Sequence, residues 1–108
     1  YGDHEEYLYA LANAMQAEYE AIVDAGFVLQ LDSPDLGLGR HMMFKGEPDT
    51  EYERLAHLHV EALNHAVRNI DADRMRLHIC WGNYEGPHTH DAPMAQVLPI
   101  ALAAKPQA

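Results

Sequence analysis

His78 and Cys80 are the residues whose chemistry stands out, because an imidazole and a thiol are ligand types that Zn²⁺ prefers. Both lie in the segment Arg76–Tyr84, which we interpret as a strand and the start of its exit loop. Strand side chains alternate between two faces, so His78 and Cys80 should project to one side while Leu77 and Ile79 point to the other. The spacing therefore indicates two metal ligands side by side. The alternative is a buried, unreactive cysteine beside a hydrogen-bonded histidine, because one His-x-Cys pair is a weak pattern.

The loop that follows this strand, from Gly82 to Asp91, contains two more histidines. An imidazole that leaves a metal-binding strand can bind substrate or donate a proton. We therefore predict His88 and His90 as catalytic residues, and the alternative is an ordinary surface loop. Trp81 is expected to pack against the scaffold rather than to bind a ligand.

The first predicted strand, Phe27–Leu31, also has a polar face. It is short, apolar and bounded by glycine before it and by Asp-Ser-Pro after it. Strand alternation places Gln30 and Asp32 on one face and the most apolar side chains on the other. On its own, Asp32 is best explained as a turn residue before Pro34.

The composition limits the classes of function. The 108 residues include 7 Lys and Arg against 17 Asp and Glu, a formal net charge of −10. This size allows one small domain, and an acidic surface repels phosphate, so no nucleic-acid partner is expected. There is no long apolar run and no basic-then-apolar leader, so no membrane association or secretion is expected. The single cysteine cannot form an internal disulfide, which favours a reducing, cytoplasmic setting.

Three amphipathic helices are predicted around the two strands, because apolar residues recur every three or four positions. Residues 34–48, which include three glycines and two prolines, and residues 82–91 have no such period and are predicted to be long loops. The predicted helices run from the N-cap Asp3 to Gly26, from a Thr50–Glu53 capping box to Asp71, and from Ala95 to Ala104.

The other histidines give little functional signal. His59 falls on the apolar stripe of the second helix, and His57 and His65 fall beside it or off it. All three are therefore expected to pack or to face solvent. His4 and His41 are uninformative in the sequence.

The order is helix, strand, helix, strand, helix, with a long loop after each strand and a short one before it. In (β/α)₈ barrels the loops after the strands build the active site, and the returning loops only close the scaffold. A barrel needs about 250 residues, and a lone pair of strands would leave exposed edges that native domains avoid. We therefore predict an α/β fold in which residues 1–108 are an internal portion of a single TIM-barrel catalytic domain.

Two motifs together resemble the C-terminal catalytic barrel of cobalamin-independent methionine synthases and their shorter stand-alone relatives. They are Leu29–Pro34, which reads Leu-Gln-Leu-Asp-Ser-Pro, and the run that begins at His78 and continues to Asp91. The resemblance covers nearly the whole chain and implies a TIM barrel. It also implies a Zn²⁺ held by His78, by Cys80, by a Glu on the next strand and by a later Cys.

The same resemblance implies a substrate-binding role for the first strand. The family motif Gln-Ile-Asp-Glu-Pro places its Asp against the amino group of the substrate, and Asp32 is the matching position. We therefore predict Asp32 and Gln30 as substrate-binding residues. Ser33 stands where the family has Glu, which leaves the exact substrate open.

The implied activity is a zinc-dependent transfer of the methyl group of 5-methyltetrahydrofolate, as its polyglutamate, to the thiol of homocysteine, in methionine biosynthesis. A free thiol, with a pKa of about 8.5, is little ionised at neutral pH, whereas a metal-bound thiol is deprotonated. The expected partners are small molecules, a thiol amino acid and a reduced folate. Alkyl transfer to another thiol, of the coenzyme M type, and a non-catalytic α/β module with a buried Cys80 are the alternatives.

Two further expectations concern the extent of the chain. Expressed alone, it should bind zinc weakly and be inactive, because zinc sites normally supply three or four protein ligands and only two are recognised here. The parent sequence should continue past Ala108 with a short apolar strand that carries a Glu or Cys within about ten residues. A further Cys should follow downstream.

Overall fold

The computed structural model describes residues 1–108 and shows an α/β arrangement of two strands and five helices. The predicted order of the main elements is confirmed, and two short helices are added between the first strand and the longest crossover helix. The elements are α1 (His4–Asp24), β1 (Leu29–Ser33), α2 (Pro34–Gly37), α3 (Gly39–Met42), α4 (Asp49–Ala66), a 3₁₀ turn (Ala72–Arg74), β2 (Met75–Ile79) and α5 (Met94–Ala101).

The two strands form a parallel pair, and α4 lies in the crossover that a parallel connection requires. The register places Leu29 beside Met75 at one end and Ser33 beside Ile79 at the other. Both carboxyl-terminal ends therefore lie at the same edge of the sheet. The long segments 34–48 and 80–93 leave from that edge, whereas short segments return to the strands.

The helices cover one face of the sheet and leave the other open. Leu29, Leu31 and Met75 are buried and pack against residues of α1 and α4, and Leu77 adds a partly buried side chain to the same face. The alternation predicted for both strands is therefore confirmed. The opposite face presents four exposed polar side chains: Gln30, Asp32, Arg76 and His78.

The ends of α1 follow from local chemistry. The Asp3 side chain accepts a hydrogen bond of 2.8 Å from the backbone N–H of Glu6, as an N-cap does. Gly26 follows the helix with a φ of +94°, a left-handed conformation that glycine adopts without a Cβ clash. Both boundary signals in the sequence are confirmed.

The prediction for residues 27–48 is wrong in two respects. The strand begins at Leu29 and ends at Ser33, because its limits are set by pairing with β2, and Phe27 before it is largely exposed. Residues 34–48 are not one irregular loop, since α2 and α3 form inside them. Pro34 occupies the first turn of α2, where its fixed φ suits a helix start, and the buried Leu36 anchors that turn in the core.

Four other boundaries also differ from prediction. The helix α4 begins at Asp49 after Pro48, so no Thr50 capping box forms, and Glu53 instead accepts a hydrogen bond from the side chain of Gln96. It ends at Ala66, well before Asp71. The last helix ends at Ala101 and not Ala104, and β2 ends at Ile79, which leaves Cys80 immediately after the strand.

Tyr52 joins α4 to the start of the first long connection. Its side chain is fully buried in the core, and its hydroxyl donates a hydrogen bond of 2.6 Å to the backbone carbonyl of Leu36. Burial, assisted by the nearby Asp35 carboxylate, raises the pKa of Tyr52 to about 12.

None of the helices combines the length and apolar character that crossing a membrane requires.

Candidate metal centre

Three side chains of metal-binding types meet at the carboxyl-terminal edge of the sheet. Asp32 and His78 are register partners on the open face, and Cys80 follows β2 by one residue. Each residue offers one ligand atom, and these three atoms all lie within 4.8 Å of one another. They are a carboxylate oxygen, an imidazole nitrogen and the thiol sulfur. The predicted proximity of His78 and Cys80 is confirmed, and Asp32 joins them.

Asp32 and His78 are directly bonded. His78 Nδ1 and the Asp32 Oδ1 atom are 2.6 Å apart, and both side chains are more than half exposed. A carboxylate only accepts, so Nδ1 carries the proton and donates it, which leaves Nε2 of a neutral imidazole with a free lone pair. Metal-ligating histidines are commonly oriented by such a carboxylate.

Cys80 is partly exposed, unlike the buried cysteine of the alternative interpretation. The backbone N–H of Gly82 donates a hydrogen bond to Cys80 Sγ at 3.0 Å. The thiolate is the form of cysteine that binds a metal. Gly82 has a φ of +69°, so the turn that directs this N–H toward the sulfur suits glycine.

Gly37, in α2, allows the first long connection to pack against Cys80. A Cβ at position 37 would lie 2.6 Å from the carbonyl oxygen of Cys80 and 3.0 Å from the Trp81 ring. No real Cβ contact is as short as the first of these, so the close approach depends on glycine. Trp81 itself is partly buried against the core, as predicted.

The donor set fits zinc. A carboxylate oxygen, an imidazole nitrogen and a thiolate are all established Zn²⁺ ligands, and catalytic zinc sites use three protein ligands and keep a fourth position open. Asp32 can contribute either as a third ligand or as the carboxylate that orients His78. Gln30 lies two residues before Asp32 on the same exposed face, beside the cluster and outside it.

The predicted catalytic histidines form a separate cluster around His41 of α3. The ring of His41 stacks with the ring of His88 and with that of His90, at centroid distances of 5.8 and 5.7 Å. Neither loop histidine is hydrogen-bonded to Asp32, His78 or Cys80. The structure therefore brings both loop histidines against His41, and it does not hydrogen-bond them to the candidate metal ligands.

His88 is held by two acceptors of its own loop. Its Nδ1 lies 2.7 Å from the Asp91 carboxylate, and its Nε2 lies 2.9 Å from the backbone carbonyl of Tyr84. The carbonyl of Tyr84, and then the Asp91 carboxylate, raise the pKa of His88 above its usual value. His90 makes no side-chain hydrogen bond within the chain.

Two sets of contacts have no counterpart in the sequence patterns. His41 is buried, although nothing in its loop-like surroundings indicated it. His59 is oriented by Asp35, 2.8 Å from Nδ1, and its Nε2 lies 3.0 Å from that of His4. The apolar stripe of α4 correctly placed His59 against the interior, but partners 24 and 55 residues away in the sequence leave no periodic signal.

Comparisons of the chain with protein-family models, with curated proteins and with solved structures find no match.

Proposed function

We propose that this chain carries part of the zinc centre of an enzyme that transfers a methyl group from 5-methyltetrahydrofolate to the thiol of homocysteine. The observation that carries the proposal is the convergence of Asp32, His78 and Cys80 at the carboxyl-terminal edge of a parallel sheet. That edge is where open and closed α/β folds place their ligands. The resemblance of the two strand motifs to cobalamin-independent methionine synthases supports the choice of reaction.

His78 and Cys80 would hold the metal, and Asp32 would keep His78 in the tautomer that leaves Nε2 free. Zinc bound there would supply the low pKa that makes the substrate thiol a nucleophile at neutral pH. The Asp32 side chain is more than half exposed and engages His78 through Oδ1, so its other oxygen is suited to a charge-assisted hydrogen bond with the substrate ammonium group. Gln30, on the same face, would extend this polar surface toward the rest of the amino acid.

The transfer also needs a proton donor for the folate. As the N5–methyl bond breaks and the new carbon–sulfur bond forms, the leaving nitrogen takes up a proton. Of the two predicted catalytic histidines, His90 has ring nitrogens that no group in the chain engages, whereas both nitrogens of His88 are occupied. We therefore assign proton donation to His90 and a supporting role to His88.

We also propose that residues 1–108 form an internal portion of a TIM barrel. One face of the sheet is polar and exposed, with the side chains of Gln30, Asp32, Arg76 and His78. In a complete catalytic barrel this face would line the polar upper part of the interior, and without the other strands it would be exposed as it is here. The backbone N–H of Leu77 donates a hydrogen bond of 2.7 Å to the carbonyl of Ala108. Ala108 therefore lies against the edge of β2 that is not paired with β1.

The proposed reaction is tested by thiol binding to the cobalt-substituted parent protein. Homocysteine should increase the thiolate-to-cobalt charge-transfer absorption and release a proton, whereas serine, which has no thiol, should do neither. Methyl transfer from 5-methyltetrahydrofolate triglutamate should then depend on His78 and Cys80. If mercaptoethanesulfonate and not homocysteine gives the absorption change, the acceptor is a coenzyme M type thiol. If no thiol does, the proposal is wrong.

A further inference from the structure

The loop between Tyr84 and Asp91 is closed by one side chain. His88 spans it, with Nε2 on the Tyr84 carbonyl and Nδ1 on the Asp91 carboxylate. A carbonyl oxygen and an ionised carboxylate can only accept hydrogen bonds, so each requires an N–H from the ring. A neutral imidazole has one N–H, and only the imidazolium form has two.

We propose that His88 is an imidazolium clasp that holds the Tyr84–Asp91 loop closed, and that the loop opens when this proton is lost. The inference does not rest on the zinc chemistry, because it uses only contacts inside the loop and with α3. It gives His88 a positioning role in place of the proton transfer expected from the sequence.

The surroundings of His88 are consistent with a single positive charge. From α3, the nearly parallel ring of His41 faces it, with an angle of 20° between the ring planes. His41 is buried, and its Nδ1 has no hydrogen-bond partner. The contacts therefore supply an acceptor at each ring nitrogen of His88 and none at Nδ1 of His41. From its own loop, His88 is faced by the Tyr84 ring and by Asp91.

Asp91 has no competing cation. Its Oδ2 engages His88, and its Oδ1 is buried without a partner. Across the adjoining cleft, Arg40 is paired with Asp49 at 2.8 Å, and Glu53 accepts from Gln96. The charge that balances the Asp91 carboxylate is therefore that of His88.

The closed loop is folded tightly upon itself. The Tyr84 ring lies over Gly86, so a Cβ at position 86 would overlap the phenol. The loop lies close to the candidate metal centre in sequence, because Gly82 bonds the Cys80 sulfur and Tyr84 comes two residues later. The clasp therefore lies in the same connection, residues 80–93, that supplies the hydrogen bond to the Cys80 sulfur.

The direction of the pH dependence follows from the contacts. The Tyr84 carbonyl and the Asp91 carboxylate raise the pKa of His88 in the folded protein above the unfolded value of about 6.5. The clasp is therefore complete below pH of about 6.5 and is lost as the pH rises through the higher folded value. At more alkaline pH, one of the two acceptors faces a lone pair and the loop is released.

The test is a pH titration of the zinc-free protein by long-range ¹H–¹⁵N correlation of its imidazoles. Both His88 nitrogens should be protonated at pH 6, and the titration midpoint of His88 should lie above the ordinary histidine value of about 6.5. Asp91→Asn should lower the His88 midpoint by about one pH unit, because it removes the opposing charge. The protection factors of the residue 84–91 amides, which correct exchange for its intrinsic base catalysis, should fall across the same midpoint.

His57→Gln is the matched control, since it removes an exposed histidine outside the cluster, and it should leave the loop transition unchanged. His88→Gln should abolish the pH dependence of the loop protection factors without unfolding the sheet, whose amides report on global structure. A neutral tautomer of His88 at pH 6, a midpoint insensitive to Asp91→Asn, or loop exchange that does not follow the His88 titration would overturn the proposal. None of these results depends on zinc or on transferase activity.

Discussion

His78 donates a hydrogen bond from Nδ1 to the Asp32 carboxylate at 2.6 Å, across the register pair that ends the polar face of the parallel sheet. The bond selects the imidazole tautomer with Nε2 free, which is the nitrogen available to a metal. One nitrogen of the His78 ring and the Cys80 sulfur lie within 4.8 Å of each other. The strand register therefore places Asp32 of β1, the orienting carboxylate, beside His78 of β2, the candidate ligand.

Replacing the orienting carboxylate should weaken metal binding without removing His78 or Cys80. We expect Asp32→Asn to lower zinc affinity about 10- to 100-fold, as the loss of a carboxylate beside a ligating histidine does. A competition titration against a chromophoric chelator measures this. Asp73→Asn, an exposed carboxylate just before β2, is the control and should bind as the unaltered chain does. Equal zinc affinity of the two variants would show that Asp32 is not part of the metal site.

Gly37→Ala should disturb the centre from outside it. The new Cβ would lie 2.6 Å from the Cys80 carbonyl, so either α2 or Cys80 must shift, and metal affinity should fall. Gly39→Ala is the matched control, because its Cβ would meet only the Phe44 ring at an ordinary 3.5 Å. Affinity retained by both variants would show that the contact between α2 and Cys80 does not position the sulfur.

Tyr52→Phe should destabilise the fold by about 1–3 kcal/mol, because the buried Leu36 carbonyl loses its hydrogen bond. Denaturant unfolding at neutral pH measures the loss. The pKa of Tyr52, raised to about 12, also predicts an alkaline effect. Stability from this group is complete below the unfolded pKa of about 10 and is lost as the pH rises toward 12. Tyr52→Phe should remove that alkaline decline, and a decline that persists in the variant would have another origin.

The isolated chain should be marginally stable if it is part of a barrel. One face of its sheet has no covering layer, and large apolar side chains such as Phe27 and Leu102 are 66% and 75% exposed. Thermal unfolding followed by circular dichroism should show a broad or low transition, or association into oligomers. A cooperative transition of a monomer above about 60 °C would contradict the barrel proposal, since that is the upper range for ordinary domains.

The sequence predicted which strand residues share a face better than it predicted the boundaries of the elements. Alternation along β1 and β2 correctly separated Asp32 and His78 from the buried leucines, because strand periodicity is a local property. The strand limits were wrong by two residues, because pairing with β2 and not the apolar run decides where β1 begins. The helices α2 and α3 were missed, because each has only four residues and no period can be detected over that length.

The contacts of His41 with His88 and His90 could not be predicted from the sequence. His41 and His88 are 47 positions apart, and the stacking arises only when the two long connections meet above the sheet. The sequence also could not show whether Cys80 is an ordinary buried cysteine, because burial is a property of the tertiary structure. Its partial exposure and the donor from Gly82 distinguish it, and neither follows from a lone His-x-Cys pattern.

The most direct test of the central claim is a cobalt titration of this chain, compared with Cys80→Ser and His57→Gln. We predict one weakly bound metal per chain with a thiolate-to-cobalt charge-transfer band, which zinc displaces. The band should be absent in Cys80→Ser and unchanged in His57→Gln, because only Cys80 can supply the thiolate. No cobalt binding by the unaltered chain, or binding that Cys80→Ser leaves intact, would contradict the metal centre and favour an α/β module in which Cys80 has no catalytic role.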